Sequence, residues 1–283
     1  MEVEWQQIEE VVDRAFDEDL VWGDVTTQAV IPPELRGKAS IVAKVSGALA
    51  GAEVARMVFH RVDPSLQFEL LIPEGSKVQP GNVIATVEGR VASILRVERV
   101  ALNFLQQLSG IASETRRYVE AINGLNTRIM DTRKTTPGLR SLEKYAVRVG
   151  GGYNHRLHLG HWLLIKDNHL VALRGQGMSL REVIAEAKQK APQNLKVEVE
   201  VETAEEALEA VDAGADIVML DNMSLEEMRH AVELVRGRAL LEASGGVTLD
   251  NVRQIAETGV DFISVGALTH SAGVLDFSLE LES

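Results

Sequence analysis

From Arg128 onward, short apolar runs and longer amphipathic runs alternate regularly, and few folds accept such a pattern. RIMD is followed by LRSLEKYAVRV, WLLIKD by SLREVIAEAKQKA, KVEVEV by TAEEALEAVDA, DIVMLD by SLEEMRHAVELV, and ALLEA by TLDNVRQIAET, with DFISVG closing the series. Strands alternating with helices imply a parallel sheet covered by helices, and so many units favour a closed barrel over an open sheet. The spacing of Ser179 with Glu182, Thr203 with Glu206, and Ser224 with Glu227 predicts capping boxes at helix starts.

Before that series the chain reads differently. Residues 2–20 carry Ile8, Val11, Val12 and Ala15 on one helical face, and GDVTT (Gly23–Thr27) reads as loop. KASIVAKV predicts a strand and AEVARMVFHRV a helix; FELLIPEGSKVQPGNVIATVEGRVASI, broken by Gly75, Pro80–Gly81 and Gly89, predicts a small antiparallel sheet. From Ile94 to about Asn123 the period is helical, with Val97, Ala101, Leu105 and Leu108 in one stripe and Arg99 away from it.

In a βα barrel the reactive groups stand where strands end. Those positions are polar here: Asp131, Arg133 and Lys134; then Lys166, Asp167, Asn168 and His169; later Asp221–Asn222, Ser244–Gly245–Gly246 and Gly266. In VEVEVE, alternation sets Val197, Val199 and Val201 against helices and points at least Glu198 and Glu200 inward. Carboxylates inside a barrel need cations or a metal to offset desolvation. The cations are at hand: between Thr132 and Lys166 the only carboxylate is Glu143, against Arg133, Lys134, Arg140, Lys144, Arg148, Arg156 and Lys166, with His155, His158 and His161. In a chain of net charge −13, so local a concentration of positive charge points to an anionic ligand.

Gly245–Gly246, before a helix expected near Thr248, with Gly266 and His270, suits a phosphate cradle; tight βα turns are the alternative. Lys166 could serve as a Schiff-base nucleophile, but Glu198, Glu200 and Asp221 favour a charged clamp. His155, His158, His161 and His169 include no HExxH pair, and the oxygen-rich strand ends suit Mg²⁺ better than zinc.

Composition narrows the classes further. The 283 residues contain no cysteine, which excludes disulfides and thiolate chemistry. No basic-flanked apolar leader and no run long enough for a bilayer stands out, so a soluble cytoplasmic protein without membrane contact is expected. Acidic balance and 4% aromatic content speak against nucleic-acid binding, which asks for a broad basic face or stacking platforms.

GDVTT, ERVALNFLQQLSGIAS (Glu98–Ser113), MDTRKTTPGLR (Met130–Arg140), GGGYNHRLHL (Gly150–Leu159), LIKDNH (Leu164–His169), VEVEV, LDN (Leu220–Asn222) and SGG (Ser244–Gly246) run in one order over nearly the whole chain. In these motifs the sequence resembles the quinolinate phosphoribosyltransferases. The resemblance implies an N-terminal α/β sandwich (residues 1–110, completed by 271–283 through FSLEL) and a seven-stranded α/β barrel (residues 111–270). It implies Mg²⁺-dependent transfer of phosphoribose from phosphoribosyl pyrophosphate to quinolinate N1, with loss of pyrophosphate and of the C2 carboxylate as CO₂, giving nicotinate mononucleotide for NAD biosynthesis. It further implies a homodimer in which Arg99 reaches the partner's site.

By the same resemblance, Arg99, Arg133, His155, Arg156 and Lys166 match quinolinate-binding positions. Lys134, His169, Glu200, Asp221, Ser244, Gly245, Gly246, Gly266 and His270 match positions for phosphoribosyl pyrophosphate. Lys134, Lys166, Glu200 and Asp221 would carry the catalysis, with Glu200 and Asp221 near Mg²⁺. The other readings are a same-fold relative of different specificity, a Schiff-base lyase using Lys166, and an anion-binding protein without turnover.

Overall fold

The computed structural model of the chain describes residues 5–192 and 195–282. In order the elements are α1 (Trp5–Asp19), α2 (Val25–Val30), β1 (Arg36–Ala43), β2 (Gly47–Ala48), α3 (Ala52–Val62), β3 (Gln67–Leu70), β4 (Lys77–Val78), β5 (Val83–Arg90) and α4 (Val91–Ala121). Then follow β6 (Arg128–Met130), α5 (Arg140–Val149), β7 (Leu163–Ile165), α6 (Asp167–Arg174), α7 (Leu180–Lys190), β8 (Val197–Val201), α8 (Ala204–Asp212), β9 (Ile217–Asp221) and α9 (Leu225–Val235). The last are β10 (Leu240–Ser244), α10 (Val252–Ala256), β11 (Phe262–Ser264), α11 (Ala267–His270) and β12 (Phe277–Leu281). The described residues form two compact units, one within 1–116, 135–151 and 267–283, the other within 117–134 and 152–266.

The first unit is built on an antiparallel sheet in the order β12-β1-β5-β3, beside the small pair β2-β4. FSLEL is its edge strand, with Ala43 opposite Phe277 and Ala39 opposite Leu281. The apolar stripe of α4 is buried through Val97, Ala101, Leu105 and Leu108. Two hydroxyls of α4 tie it to the β2 segment: Ser109 Oγ accepts from Ala50 N at 3.0 Å, and Ser113 Oγ from Ala48 N at 2.8 Å. Gly110 is required by contact, because a Cβ there would lie 1.8 Å from the carbonyl oxygen of Gly273.

GDVTT is not the plain loop that its composition suggests. Asp24 accepts from Thr27 N at 2.9 Å and starts α2 at Val25, since a short acceptor at the N-cap satisfies an amide that would otherwise have no partner. The helix expected over 2–20 is present as α1, its residues 2–4 lying outside the described ones.

The second unit holds a parallel sheet in the order β6-β11-β10-β9-β8-β7. From β7 to β11 consecutive strands are neighbours, and β11 returns to the first, β6, which is the barrel-like arrangement. Of the seven strand positions expected, six are regular strands; Tyr153 supplies the remaining edge contact as a one-residue parallel bridge to Met130. Carboxylates fix the strand starts: Asp216 accepts from Val197 N and Asp261 from Leu241 N, each at 2.8 Å. Val197, Val199 and Val201 are buried, on the face opposite Glu198 and Glu200 as the two-residue period of a strand requires.

The capping boxes differ from one another. Ser179 and Glu182 exchange both bonds. Thr203 and Ser224 accept from the amides of Glu206 and Glu227, but those carboxylates turn elsewhere, Glu206 to Glu202 N and Glu227 to Ala204 N. KDNH, read as a strand end, also opens a helix: α6 begins at Asp167, and His169 Nδ1 accepts from Lys166 N at 2.9 Å. No described helix is long and apolar enough to cross a membrane.

Candidate active site

The strand ends of the parallel sheet open into a cavity of about 550 Å³, within the usual range for a small-molecule site. Its lining includes Arg133, Lys134, His155, Arg156, Lys166, Glu200, Asp221, Ser244, Gly245 and Gly246, together with Glu242 and Ser264. Alternation explains the roster: Glu200 is in register with Met219, Met219 with Glu242, and Asp221 with Ser244, so all of them share the inward face.

One wall is cationic. Thr132 Oγ1 accepts from Lys134 N at 3.0 Å and shapes the turn that carries Arg133 and Lys134. Asp131, fully buried, takes His155 N at 2.9 Å and Asn154 Nδ2 at 2.6 Å, which fixes the Asn154–Arg156 segment. Burial holds the Arg156 guanidinium below its ordinary value, the neighbouring Arg133 charge adds to that, and Glu198 opposes it. Two guanidiniums close enough to repel are an arrangement that a dianion relieves.

The ends of β8 and β9 bring carboxylates to the same cavity. Lys166 Nζ lies 3.5 Å from Glu200 Oε2. Burial pushes the Glu200 carboxyl upward; Lys166 opposes this, and Asp221 and Asp167 add to it. Asn222 sits in the left-handed region at φ 54°, with its N–H on Ser244 O at 2.9 Å and its Nδ2 on Asp221 Oδ2 at 2.7 Å. Beside it Gly245 has φ +92°, and a Cβ there would meet Asn222 Oδ1 at 2.2 Å, so this turn depends on glycine.

At the floor His155 Nε2 faces two carboxylates, Glu198 at 3.2 Å and Glu242 at 3.5 Å. Trp162 Nε1 donates to Glu198 at 2.7 Å and Ser264 Oγ to Glu242 at 2.5 Å. Burial works against the imidazolium, but hydrogen bonds to Glu198 and Glu242 outweigh it and push His155 up to about 9. Glu242 is itself pushed upward, by burial and then by Glu198, with His155 and Ser264 pulling it down.

Other site residues inferred from sequence stand apart. Arg99 is exposed on α4 in the first unit, beside a groove with Arg14, Asn103 and Gln107. His169 caps α6, Gly266 follows β11 outside the cavity lining, and His270 ends α11 with its ring nitrogen 2.6 Å from Ser271 Oγ. The helix expected near Thr248 begins at Val252, so the glycine turn, not a helix end, faces the cavity. Arg140, Lys144 and Arg148 belong to α5 in the first unit, where Glu143 accepts from Thr136 N at 3.1 Å. Sequence reasoning missed Glu242 and Trp162. The signal for Glu242 was the lone charge in LLEAS, on the same alternation that exposed Glu198 and Glu200; Trp162 left none.

The fold and cavity define a class: an α/β-barrel enzyme whose strand ends are set for anionic ligands. The sequence model of the quinolinate phosphoribosyl transferase C-terminal domain matches residues 111–280, and that of its N-terminal domain residues 24–109. The chain is 43% identical over 275 residues to the probable nicotinate-nucleotide pyrophosphorylase (carboxylating) of Bacillus subtilis, covering 97% of this chain and 93% of that one. A relative from Synechocystis with the same description is 44% identical, covering 98% of this chain and 93% of that protein. The crystal structure of NadC from Streptococcus pyogenes superposes with a TM-score of 0.95 at 43% identity, over 100% of this chain and 99% of that one. The chain belongs to the quinolinate phosphoribosyltransferase family, enzymes of the pentosyltransferase class.

Proposed function

We propose that this chain joins quinolinate N1 to C1 of phosphoribosyl pyrophosphate and releases pyrophosphate and CO₂ to give nicotinate mononucleotide. The observation that carries the reading is the gathering of charge in one cavity, Arg133, His155 and Arg156 from the segments after β6 and Glu200 and Asp221 from the ends of β8 and β9. A pyridine dicarboxylate calls for paired guanidiniums and an imidazolium, and a ribosyl cation calls for fixed carboxylates. The N1 lone pair forms the new bond to C1 while the C1–O bond breaks toward pyrophosphate. Then the C2–carboxylate bond breaks, CO₂ departs, the cationic ring nitrogen stabilises the electron pair left on C2, and solvent supplies its proton.

Lys134 and Lys166 supply positive charge for the departing diphosphate, and Ser244, Gly245 and Gly246 offer backbone donors to the 5′-phosphate. The residues also fit Mg²⁺: Glu200 and Asp221 are oxygen donors that raise each other's energy in a half-buried setting, which a hard divalent cation relieves. Bound there with the diphosphate, the ion would neutralise charge on the leaving group. His169, Gly266 and His270 remain assigned to phosphoribosyl pyrophosphate only by resemblance. The Lys166–Glu200 pair favours a charged clamp over an imine.

In this reading the active form is a homodimer in the cytoplasm, and exposed Arg99 completes the partner's carboxylate clamp. Incubation with quinolinate, phosphoribosyl pyrophosphate and Mg²⁺ should yield nicotinate mononucleotide and CO₂ in equal amounts; no product would sink the proposal. Mixing Arg99→Ala with Lys134→Ala should restore part of the activity through hybrid dimers. Continued inactivity despite demonstrated subunit exchange would remove the shared site.

A further inference from the structure

Two buried carboxylates at the cavity floor, Glu198 and Glu242, have no part in the gathering of charge above, and both face His155, which does. Glu198 is 0% exposed, Glu242 1% and His155 4%, yet each is ionisable, and burying such groups is costly unless they neutralise one another. Their oxygen and nitrogen ligand atoms lie within 4.8 Å of one another, a spacing that could suggest a metal. The hydrogen bonds favour another arrangement. Trp162 N–H takes a Glu198 oxygen and Ser264 O–H takes a Glu242 oxygen, both from the protein, and the imidazole stands between the carboxylates as the positive partner.

We infer that Glu242 and Glu198 are positioning residues, a buried pair that holds the His155 ring as an oriented imidazolium for a substrate carboxylate. The inference rests on the quinolinate reading of the site. Four constraints fix the ring: its backbone N–H is on Asp131, its Nε2 faces a carboxylate from β8 and another from β10, and the Trp162 ring packs on it at 4.8 Å between centroids. The ring lines the cavity next to Arg156. The arrangement sets a charge and an angle in advance, so that binding a dianion costs little reorganisation.

The charged and titratable groups near the ring are Glu198, Glu242, Asp131 at its backbone, and the Arg156–Arg133 pair. Glu242 is the informative one, because Glu242→Gln keeps shape and the reach to Ser264 while removing the charge. The KM for quinolinate should rise about tenfold or more, roughly the 1.4 kcal/mol that a tenfold change represents. The KM for phosphoribosyl pyrophosphate should stay within about twofold and the melting temperature within a few degrees, while Glu242→Asp should recover part of the loss. A merely structural role would lower stability and raise both KM values together, and an unchanged quinolinate KM would overturn the inference.

A second measurement does not depend on turnover. Ring ¹⁵N shifts of His155 in the unmutated protein, assigned with His155→Gln, should report both nitrogens protonated at pH 7.5. A neutral ring there would overturn the inference even if Glu242→Gln fails to fold. A protein with a charged His155 that neither binds nor turns over quinolinate would instead refute the substrate reading alone.

Discussion

The floor and the mouth of the cavity use the same residue types under opposite rules. Glu198 and Glu200 are two residues apart on β8 and face the same way, yet Glu198 is fully buried and satisfied by His155 and Trp162. Glu200, its side chain 11% exposed, sits among Asp221, Asp167 and Lys166, with its carboxyl pushed upward. The floor supplies its carboxylates with partners from within, His155, Trp162 and Ser264, whereas the mouth is left for ligands to complete. In general, sites of binding and catalysis are where a fold tolerates unfavourable electrostatics that it eliminates elsewhere.

The comparison breaks most visibly at these two carboxylates. Glu198→Ala removes one of the two carboxylates facing His155 and leaves Trp162 N–H without its acceptor, and should cost about 3 kcal/mol in urea unfolding. Glu200→Gln should do the reverse. A carboxyl held above its ordinary value loses stability as pH rises through that value, so the uncharged amide should melt at the same temperature or higher near pH 8. Activity should fall by about 100-fold, the scale of losing one preorganised electrostatic group. If Glu200→Gln destabilised as much as Glu198→Ala, the division between floor and mouth would be wrong.

The two regions should also separate along the pH axis. His155 is raised from 6.5 to about 9 by its two carboxylates. Its contribution to stability is therefore complete below pH 6.5, the unfolded value, and is lost as pH climbs through about 9. The full effect is on the order of 3 kcal/mol by the 1.36 kcal/mol per unit relation. Glu200, whose carboxyl is also pushed upward, acts with the same sign but on the acid side: stability falls as pH rises through the carboxylate range and is regained when the group is protonated. Unfolding free energies at pH 6.5 and 9.5 should thus diverge in the unmutated protein and converge in His155→Gln; parallel curves would mean that the ring is neutral.

Why the sequence disclosed one region and not the other follows from what each is made of. The barrel was legible because KVEVEV, DIVMLD and ALLEA repeat one period, and the inward glutamates of β8 followed from alternation alone. The mouth was legible because strand ends are countable. The cation-rich stretch misled in part: Arg133, Arg156 and Lys166 line the cavity, whereas Arg140, Lys144 and Arg148 lie on α5 in the other unit. A charge count along the chain cannot divide residues between units. The floor stayed hidden because Glu242, His155 and Trp162 lie on separate segments of the fold. Likewise α2 was concealed because Asp24 works through a single side-chain bond, and two of the capping boxes spend their glutamates on neighbouring segments.

The mouth also stores strain in its backbone, and the smallest of these effects is expected there. Gly245 has φ +92°, and an added Cβ would press on Asn222 Oδ1, the amide that also holds Asp221 through its Nδ2. Gly245→Ala must therefore either adopt a strained left-handed backbone or displace Asn222, at a cost of about 1–2 kcal/mol. The functional loss should exceed that figure, because displacing Asn222 frees Asp221 and moves the turn's backbone donors together. The KM for phosphoribosyl pyrophosphate should rise while quinolinate binding at the cationic wall stays within about twofold, since the two walls share no side chain that the substitution moves. Equal losses for both substrates would show that the walls are coupled through the floor, and would unite the two regions that these experiments set apart.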